Sequence, residues 1–223
     1  MQNANKKIAL HVNQTMLAMY QCLTYMATYN RSGLLQRSIP SFINQIFKDC
    51  ELIVVDDGSN DNSFEIVNHY MKHHENIRYI KHSNRKLSLS KNVGIAASAG
   101  KYIAFLDSDD EYQPDYLEKR VKYMANNPRV DLIEGGASII GDRYVKDKND
   151  LSRKIHLSLC IIGPTFFGKK EVFVSLNGFD RNIFYSEDSE FWERAEKKYC
   201  LKKVDLPGYI YYRDTADSIC NNI

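Results

Sequence analysis

Two short apolar runs, each ending in aspartates, constrain the fold of this chain more than any other feature. Leu52-Ile-Val-Val55 runs into Asp56-Asp57-Gly58-Ser59, and Tyr102-Ile-Ala-Phe-Leu106 runs into Asp107-Ser-Asp-Asp110. A strand that is apolar at nearly every position, instead of at alternate ones, suits burial on both faces. Parallel sheets between helix layers have that property.

The neighbouring segments fit such a layer. Cys22 to Thr28 reads as a strand, and Leu34 to Phe47 has helical spacing of apolar residues at 35, 39, 42, 43 and 46. Pro40 lies inside that stretch, so the helix is expected to start or kink there. Asn60 or Asp61 can cap a helix that carries Phe64, Val67, Tyr70 and Met71. Ile77 to Ile80 reads as a strand, and Ser90 to Ala99 as a small-residue helix closed by Gly100. Pro114 suits the first turn of a helix bearing Leu117, Val121 and Met124, and Val130 to Glu134 is a further strand. Strand and helix alternate over residues 21–134. That predicts an α/β class with a Rossmann-like, mostly parallel central sheet flanked by helices.

The rhythm then changes. Residues 141–154 are polar and charged and read as a mobile loop. Residues 157–168, 169–177 and 188–199 read as strand, helix and helix, and 203–213 as an edge strand or hairpin. Residues 1–20 read as an extension of uncertain structure, and 21–223 as a single domain with two halves.

Composition excludes several function classes. Thirty basic and 28 acidic side chains leave a net charge of +2, which is no footprint for a nucleic-acid binder. No apolar run approaches the roughly 18 residues of a membrane span. Lys6 and Lys7 are followed by His11, Asn13 and Gln14, a poor secretory signal. Five cysteines (Cys22, Cys50, Cys160, Cys200, Cys220) lack a CxxC pair and read as reduced thiols in a cytoplasmic protein. The histidines form no HExxH arrangement.

Ligands bind outside the carboxyl ends of the strands in open parallel sheets, so both aspartate clusters are expected to face one crevice. Five crowded carboxylates raise one another's pKa unless a cation sits among them, and a hard divalent ion resolves the crowding. Turn chemistry is the competing explanation of Asp56-Asp57-Gly58-Ser59. Between the clusters lie Arg85, Lys86, Ser88, Ser90, Lys91 and Asn92. Lys91 either neutralises phosphate or is a solvated lysine at a helix start. Further on, Glu187-Asp-Ser-Glu190 opens a helix carrying Phe191, Trp192 and Ala195. Either the helix dipole favours those acids, or one of them is a general base opposite the metal.

Taken together, these residues resemble glycosyltransferase family 2, the inverting nucleotide-sugar transferases of GT-A fold. The motifs are Thr28-Tyr-Asn-Arg31, Val55-Asp-Asp-Gly-Ser-Asn-Asp-Asn-Ser63, Leu87-Ser-Leu-Ser-Lys-Asn-Val-Gly94, Gly100 through Asp110, Gly178-Phe-Asp180 and Ser186-Glu-Asp-Ser-Glu-Phe-Trp192. The resemblance implies a sugar moved from a nucleoside-diphosphate donor to an acceptor hydroxyl. It implies that Tyr29 stacks on the base beside the Ala27 backbone, and that Asp57 accepts a hydrogen bond from the base, typically uracil. Asp107 and Ser108 belong to the donor side, Asp109 with Asp107 would hold Mg²⁺ or Mn²⁺, and Lys91 would meet the diphosphate. Asp188 would be the base, with Glu187 and Trp192 on the acceptor side. Residues 21–134 would be the donor half and 135–223 the acceptor half. The acceptor would be a glycan or lipid-linked glycan, of the kind found in bacterial surface polysaccharide. Lys146, Lys148, Arg153 and Lys154 would either touch such a lipid at a membrane surface or be solvated.

Some positions depart from the family pattern. Lys91 stands where arginine is usual, and Ala27 where proline is common. Tyr212-Arg-Asp-Thr-Ala-Asp-Ser218 lacks the histidine that often follows Tyr-Arg. No Gln-x-x-Arg-Trp follows either, which points away from a processive synthase. Two other readings compete with a transferase. One is a haloacid dehalogenase-type phosphatase built on Asp107-Ser-Asp109. The other is a non-catalytic binding module of the same fold.

Overall fold

The computed structural model describes residues 20–84 and 86–215. The expectations for residues 1–19, Arg85, Cys220 and 216–218 lie outside the described residues.

Strands β1 (Cys22–Thr28), β2 (Cys50–Asp56), β3 (Ile77–Lys81) and β4 (Tyr102–Phe105) alternate with helices α1 (Ser32–Ile43), α2 (Ser63–Met71) and α3 (Leu87–Ala97). After β4 come β5 (Glu111–Tyr112), α4 (Tyr116–Asn126), β6 (Leu132–Glu134), β7 (Ala137–Ile140), β8 (Tyr144–Asp147) and β9 (Asp150–His156). The chain continues through β10 (Phe167–Lys169), α5 (Lys170–Ser175), α6 (Glu187–Ala195), β11 (Leu201–Lys203) and β12 (Tyr209–Tyr212). The central sheet has seven strands in the order β11-β6-β10-β4-β1-β2-β3. Every pairing in it is parallel except those of β10, which runs antiparallel to both β4 and β6.

The doubly apolar strands are explained by the two cores. Cys22, Met26, Leu52, Val54, Tyr102 and Ala104 face one core with Leu35, Ile39, Val67, Leu117 and Met124. Leu23, Tyr25, Ile53, Val55, Ile103 and Phe105 face the other, with Ile95, Phe173, Phe191 and Ala195. Each strand thus alternates between two buried faces. At ~1.5–3 kcal/mol for each large apolar side chain removed from water, this packing is the main force holding the sheet.

Several boundaries differ from expectation. Helix α1 starts at Ser32, not at Pro40, and ends at Ile43; Pro40 lies inside it. Asp61 Oδ1 accepts from both the backbone N (3.0 Å) and the Oγ (2.6 Å) of Ser63, so it serves α2 from two residues upstream. Helix α3 begins at Leu87, and Gly100 does not close it: an added Cβ there would lie 3.1 Å from the Tyr20 carbonyl and the Leu23 nitrogen. Pro114 precedes α4.

The larger correction concerns residues 141–154. They form much of an antiparallel hairpin, β8–β9, not a loop. Its polarity misled because it has one covered side: Val145, paired in register with Ile155, is buried, while Arg153 and Lys154 are exposed and Lys146 and Asp147 are half-buried at the cleft. Residues 157–168 form two short 3₁₀ turns and then β10. The expected edge strand at 203–213 is instead β12, the middle of a three-stranded sheet between β5 and β7.

Candidate active site

Because β1, β2 and β4 are parallel and in register, the residues after them emerge along one edge of the sheet. Tyr29, Asp57 and Asp107 come out there. A cleft of about 900 Å³ opens on that edge. Ala27, Tyr29, Asp57, Lys91, Asp107, Ser108, Asp109, Glu187, Asp188 and Trp192 all line it. The structure therefore brings these ten residues to one cleft, although 161 positions separate Ala27 from Asp188.

Asp56 and Asp110 do not share this placement. Asp56 accepts from the Ser59 amide at 2.6 Å and from the Tyr79 hydroxyl, which is the turn chemistry of its cluster. Asp110 is buried and accepts from the Tyr209 hydroxyl at 2.6 Å and from the Tyr212 amide at 2.8 Å. The crowd of five carboxylates thus reduces to three at the cleft: Asp57, Asp107 and Asp109.

Asp57 Oδ2 accepts from the Lys86 amide at 3.0 Å, and its Oδ1 lies 3.3 Å from His82 Nδ1. Asp109 Oδ2 accepts from Arg31 Nη1 at 2.6 Å, and the Asp109 carbonyl accepts from Arg37. Burial pushes the Asp107 carboxyl up to about 7; Lys91 opposes that rise and Asp109 adds to it. One carboxylate oxygen each from Asp107, Asp109 and Asp110 lies within 4.8 Å of the others. Those are hard oxygen donors of the kind Mg²⁺ and Mn²⁺ take. Since Asp110 is committed to Tyr209 and Tyr212, Asp107 and Asp109 are the two that fit a metal.

Lys91 is not a solvated lysine. It is 3% exposed, and its Nζ donates to Glu187 Oε1 at 2.7 Å. Burial works to lower the Lys91 pKa, but Glu187, Asp107 and Asp188 together raise it, so the ammonium stays charged. Glu187 is accordingly committed to Lys91. Asn92 clamps the backbone instead of facing phosphate: it donates to the Phe179 carbonyl and accepts from the Phe179 amide, both at 2.8 Å.

Asp188 sits in the first turn of α6. Its Oδ2 accepts from the Gly163 amide at 2.8 Å and its Oδ1 from the Ser189 amide at 2.7 Å. Glycine is required at 163 for that approach, because an added Cβ would lie 2.6 Å from the Asp188 Cβ. Burial, then the neighbouring Glu187 charge, push the Asp188 carboxyl up to about 6; Lys91 and the two amides hold it back. A carboxylate poised near neutrality suits a general base. Three non-glycine residues with positive φ line the same cleft: Asn30 (51°), Lys86 (76°) and Ser186 (57°). Such backbone is costly and clusters at functional sites.

The sequence pattern of Glycosyl transferase family 2 matches residues 24–177. The chain belongs to this family. An uncharacterized glycosyltransferase of Methanocaldococcus jannaschii is 34% identical over 185 residues, covering 76% of this chain and 62% of that protein. One from Haemophilus influenzae is 27% identical over 217 residues, covering 88% of this chain and 67% of that one. Among solved structures, residues 1–349 of S. aureus TarS superpose with a TM-score of 0.73 at 18% identity, over 86% of this chain and 60% of that one. The mannosyltransferase PcManGT from Pyrobaculum calidifontis, in complex with GDP-Man and Mn²⁺, gives 0.70 at 17% identity, over 91% and 59%. These likenesses establish the GT-A fold. This chain spans about three fifths of the length of several of these relatives.

Within this family 2 chain, sequence reasoning missed His82, Arg37 and Tyr209. His82 and Arg37 are ordinary polar residues until the fold brings them against Asp57 and Asp109. Tyr209 accepts from the Asp107 amide at 3.2 Å while donating to Asp110, so β12 braces the aspartate loop. Only the residues after β4 gave a signal for that loop.

Proposed function

We propose that this chain transfers a sugar from a nucleoside-diphosphate donor, uridine-linked, to an acceptor hydroxyl with inversion. The convergence of Asp57, Asp107, Asp109 and Asp188 on one cleft supports the reading most strongly. In it, Tyr29, 45% exposed, offers a face to the base. Asp57 accepts from the base, and Asp107 and Ser108 meet the donor's ribose side. Asp107 and Asp109 would hold Mg²⁺ or Mn²⁺, which would supply positive charge to the leaving diphosphate. Asp188 takes the proton from the acceptor hydroxyl. The oxygen then attacks the anomeric carbon opposite the leaving group, and the bond to the diphosphate breaks with its electron pair. Lys91, kept charged by Glu187, adds positive potential on the donor side.

Residues 21–134 serve as the donor half and 135–223 as the acceptor half. Beside the cleft's mouth Leu159 and Phe184 are 74% and 71% exposed. That apolar rim supports a glycan or lipid-linked glycan acceptor met at a membrane surface, while Trp192, nearly enclosed, lines the cleft wall. One sugar would pass per encounter, in surface polysaccharide or glycoconjugate synthesis. No helix among the described residues is long and apolar enough to cross a membrane.

A panel of nucleotide sugars tested by thermal unfolding checks the reading. The matching donor raises the melting temperature with Mn²⁺ and much less without it. No shift with any uridine-linked sugar would refute it. The missing histidine after Tyr212-Arg213 favours a second reading, a binding module without turnover. Slow release of nucleoside diphosphate from the bound donor, without acceptor, would exclude that module.

A further inference from the structure

Arg31 closes the Thr28-Tyr-Asn-Arg31 motif, and the mechanism above gives it no task. Its Nη1 meets Asp109 Oδ2 at 2.6 Å, and both side chains are 16% exposed. The carboxylate proposed to hold the metal therefore already carries a cation.

The backbone on either side of this pair is fixed. The Asp57 amide donates to the Thr28 carbonyl and the Asn30 amide to Ser59 Oγ, each at 2.9 Å. The Asn60 amide donates to Asn30 Oδ1 at 2.8 Å, and the Ser32 amide to Asp61 Oδ2 at 2.9 Å. The Arg31 carbonyl accepts from Leu34 and Leu35 as α1 begins. Asp109 is held at its main chain by Arg37, which in turn lies 3.7 Å from the Tyr212 ring centroid. Arg37 grips a carbonyl and leaves the carboxylate to Arg31. Any exchange of cations on Asp109 is thus a movement of the Arg31 side chain about a fixed pivot.

A guanidinium at 2.6 Å from Asp109 Oδ2 repels a second cation that approaches the same carboxylate. A guanidinium displaced from a carboxylate has a matching partner in a diphosphate, whose oxygens accept its paired N–H groups. Lys91 is already committed to Glu187, and Lys148 to Glu193.

We propose that Arg31 is a resident cation. It holds Asp109 before the donor enters, weakens binding of a divalent ion on its own, and passes to the diphosphate when the donor arrives. Metal and donor then bind as a coupled pair. This rests on the donor-site reading given above. By linkage, each must strengthen the other's binding by the same factor.

The test is calorimetric titration of Mn²⁺, of UDP, and of each in the presence of the other. Wild type, Arg31→Met and Arg31→Lys are compared, with folding checked by circular dichroism. Arg31→Met binds Mn²⁺ alone about tenfold more tightly and UDP alone more weakly, and the mutual enhancement shrinks. Arg31→Lys, which keeps the charge without the fork, falls between. Mn²⁺ binding to Arg31→Met that equals or falls below wild type overturns the proposal. Failure of wild type to bind any nucleoside diphosphate, with or without Mn²⁺, instead overturns the donor-site reading.

Discussion

Lys91 Nζ donates to Glu187 Oε1 at 2.7 Å across 96 positions of sequence, joining α3 to the start of α6. This ion pair fastens the donor side of the cleft to the segment that carries Asp188. Both partners are nearly enclosed, with side chains 4% and 13% exposed.

Breaking that pair on one side leaves a buried charge alone. Lys91→Met is expected to lower unfolding free energy by about 3–5 kcal/mol, and Lys91→Met with Glu187→Gln by clearly less. Urea denaturation of the single and double variants measures it. The pH dependence has a defined sign. Burial raises the Glu187 pKa, but Lys91 more than offsets this, so the folded value lies below 4.5. The contribution of Glu187 is therefore present above pH 4.5 and lost as pH falls through the folded pKa.

Asp188 gives the activity a pH limb. Its carboxyl, pushed up to about 6, must be ionised to take a proton. kcat/KM is expected to rise with pH and level off above an apparent pKa near 6, a value shared with Glu187 and Lys91. Asp188→Asn should lose about 10²–10⁴-fold in kcat above that pKa and should lack the limb near 6. A steady-state pH profile with the donor found by the thermal panel reads both.

Gly163 positions the Asp188 carboxylate through its amide, 2.8 Å from Oδ2. In Gly163→Ala the new Cβ must displace Asp188 or the 3₁₀ turn, since 2.6 Å is too close. The expected result is a fall in kcat of about 100-fold with donor affinity kept. Calorimetry of the donor beside turnover separates the two effects.

Much of this site was legible in the sequence because its residues follow strands that announce themselves. Val54 and Val55 are apolar on successive faces, so β2 could be read, and Asp57 had to leave its carboxyl end. The same holds for Tyr102 to Phe105 and Asp107. The hairpin at 144–156 was not legible, because Lys146, Arg153 and Lys154 give polarity while Val145 is its one fully buried side chain. Asp56 and Asp110 looked equivalent to Asp57 and Asp109. Their inward hydrogen bonds involve Tyr79 and Tyr209, which stand on other strands 23 and 99 positions away. The fate of Lys91 was hidden for the same reason: its partner arrives from α6.

Asp57 tests the base-binding end. Its carboxylate is pre-set by the Lys86 amide and His82. Asp57→Ala is expected to weaken UDP binding about 10- to 100-fold, the worth of one hydrogen bond to a charged group. Calorimetric titration with UDP provides the number.

The central claim is that one cleft grips a donor diphosphate through Asp109 and a divalent ion while Asp188 serves only the acceptor. Calorimetric titration of the cognate nucleotide sugar with Mn²⁺ into wild type, Asp109→Asn and Asp188→Asn tests it most directly. The account predicts that Asp188→Asn binds as wild type does and that Asp109→Asn loses about tenfold or more. Equal binding by Asp109→Asn and wild type, at the same Mn²⁺ concentration, would contradict it.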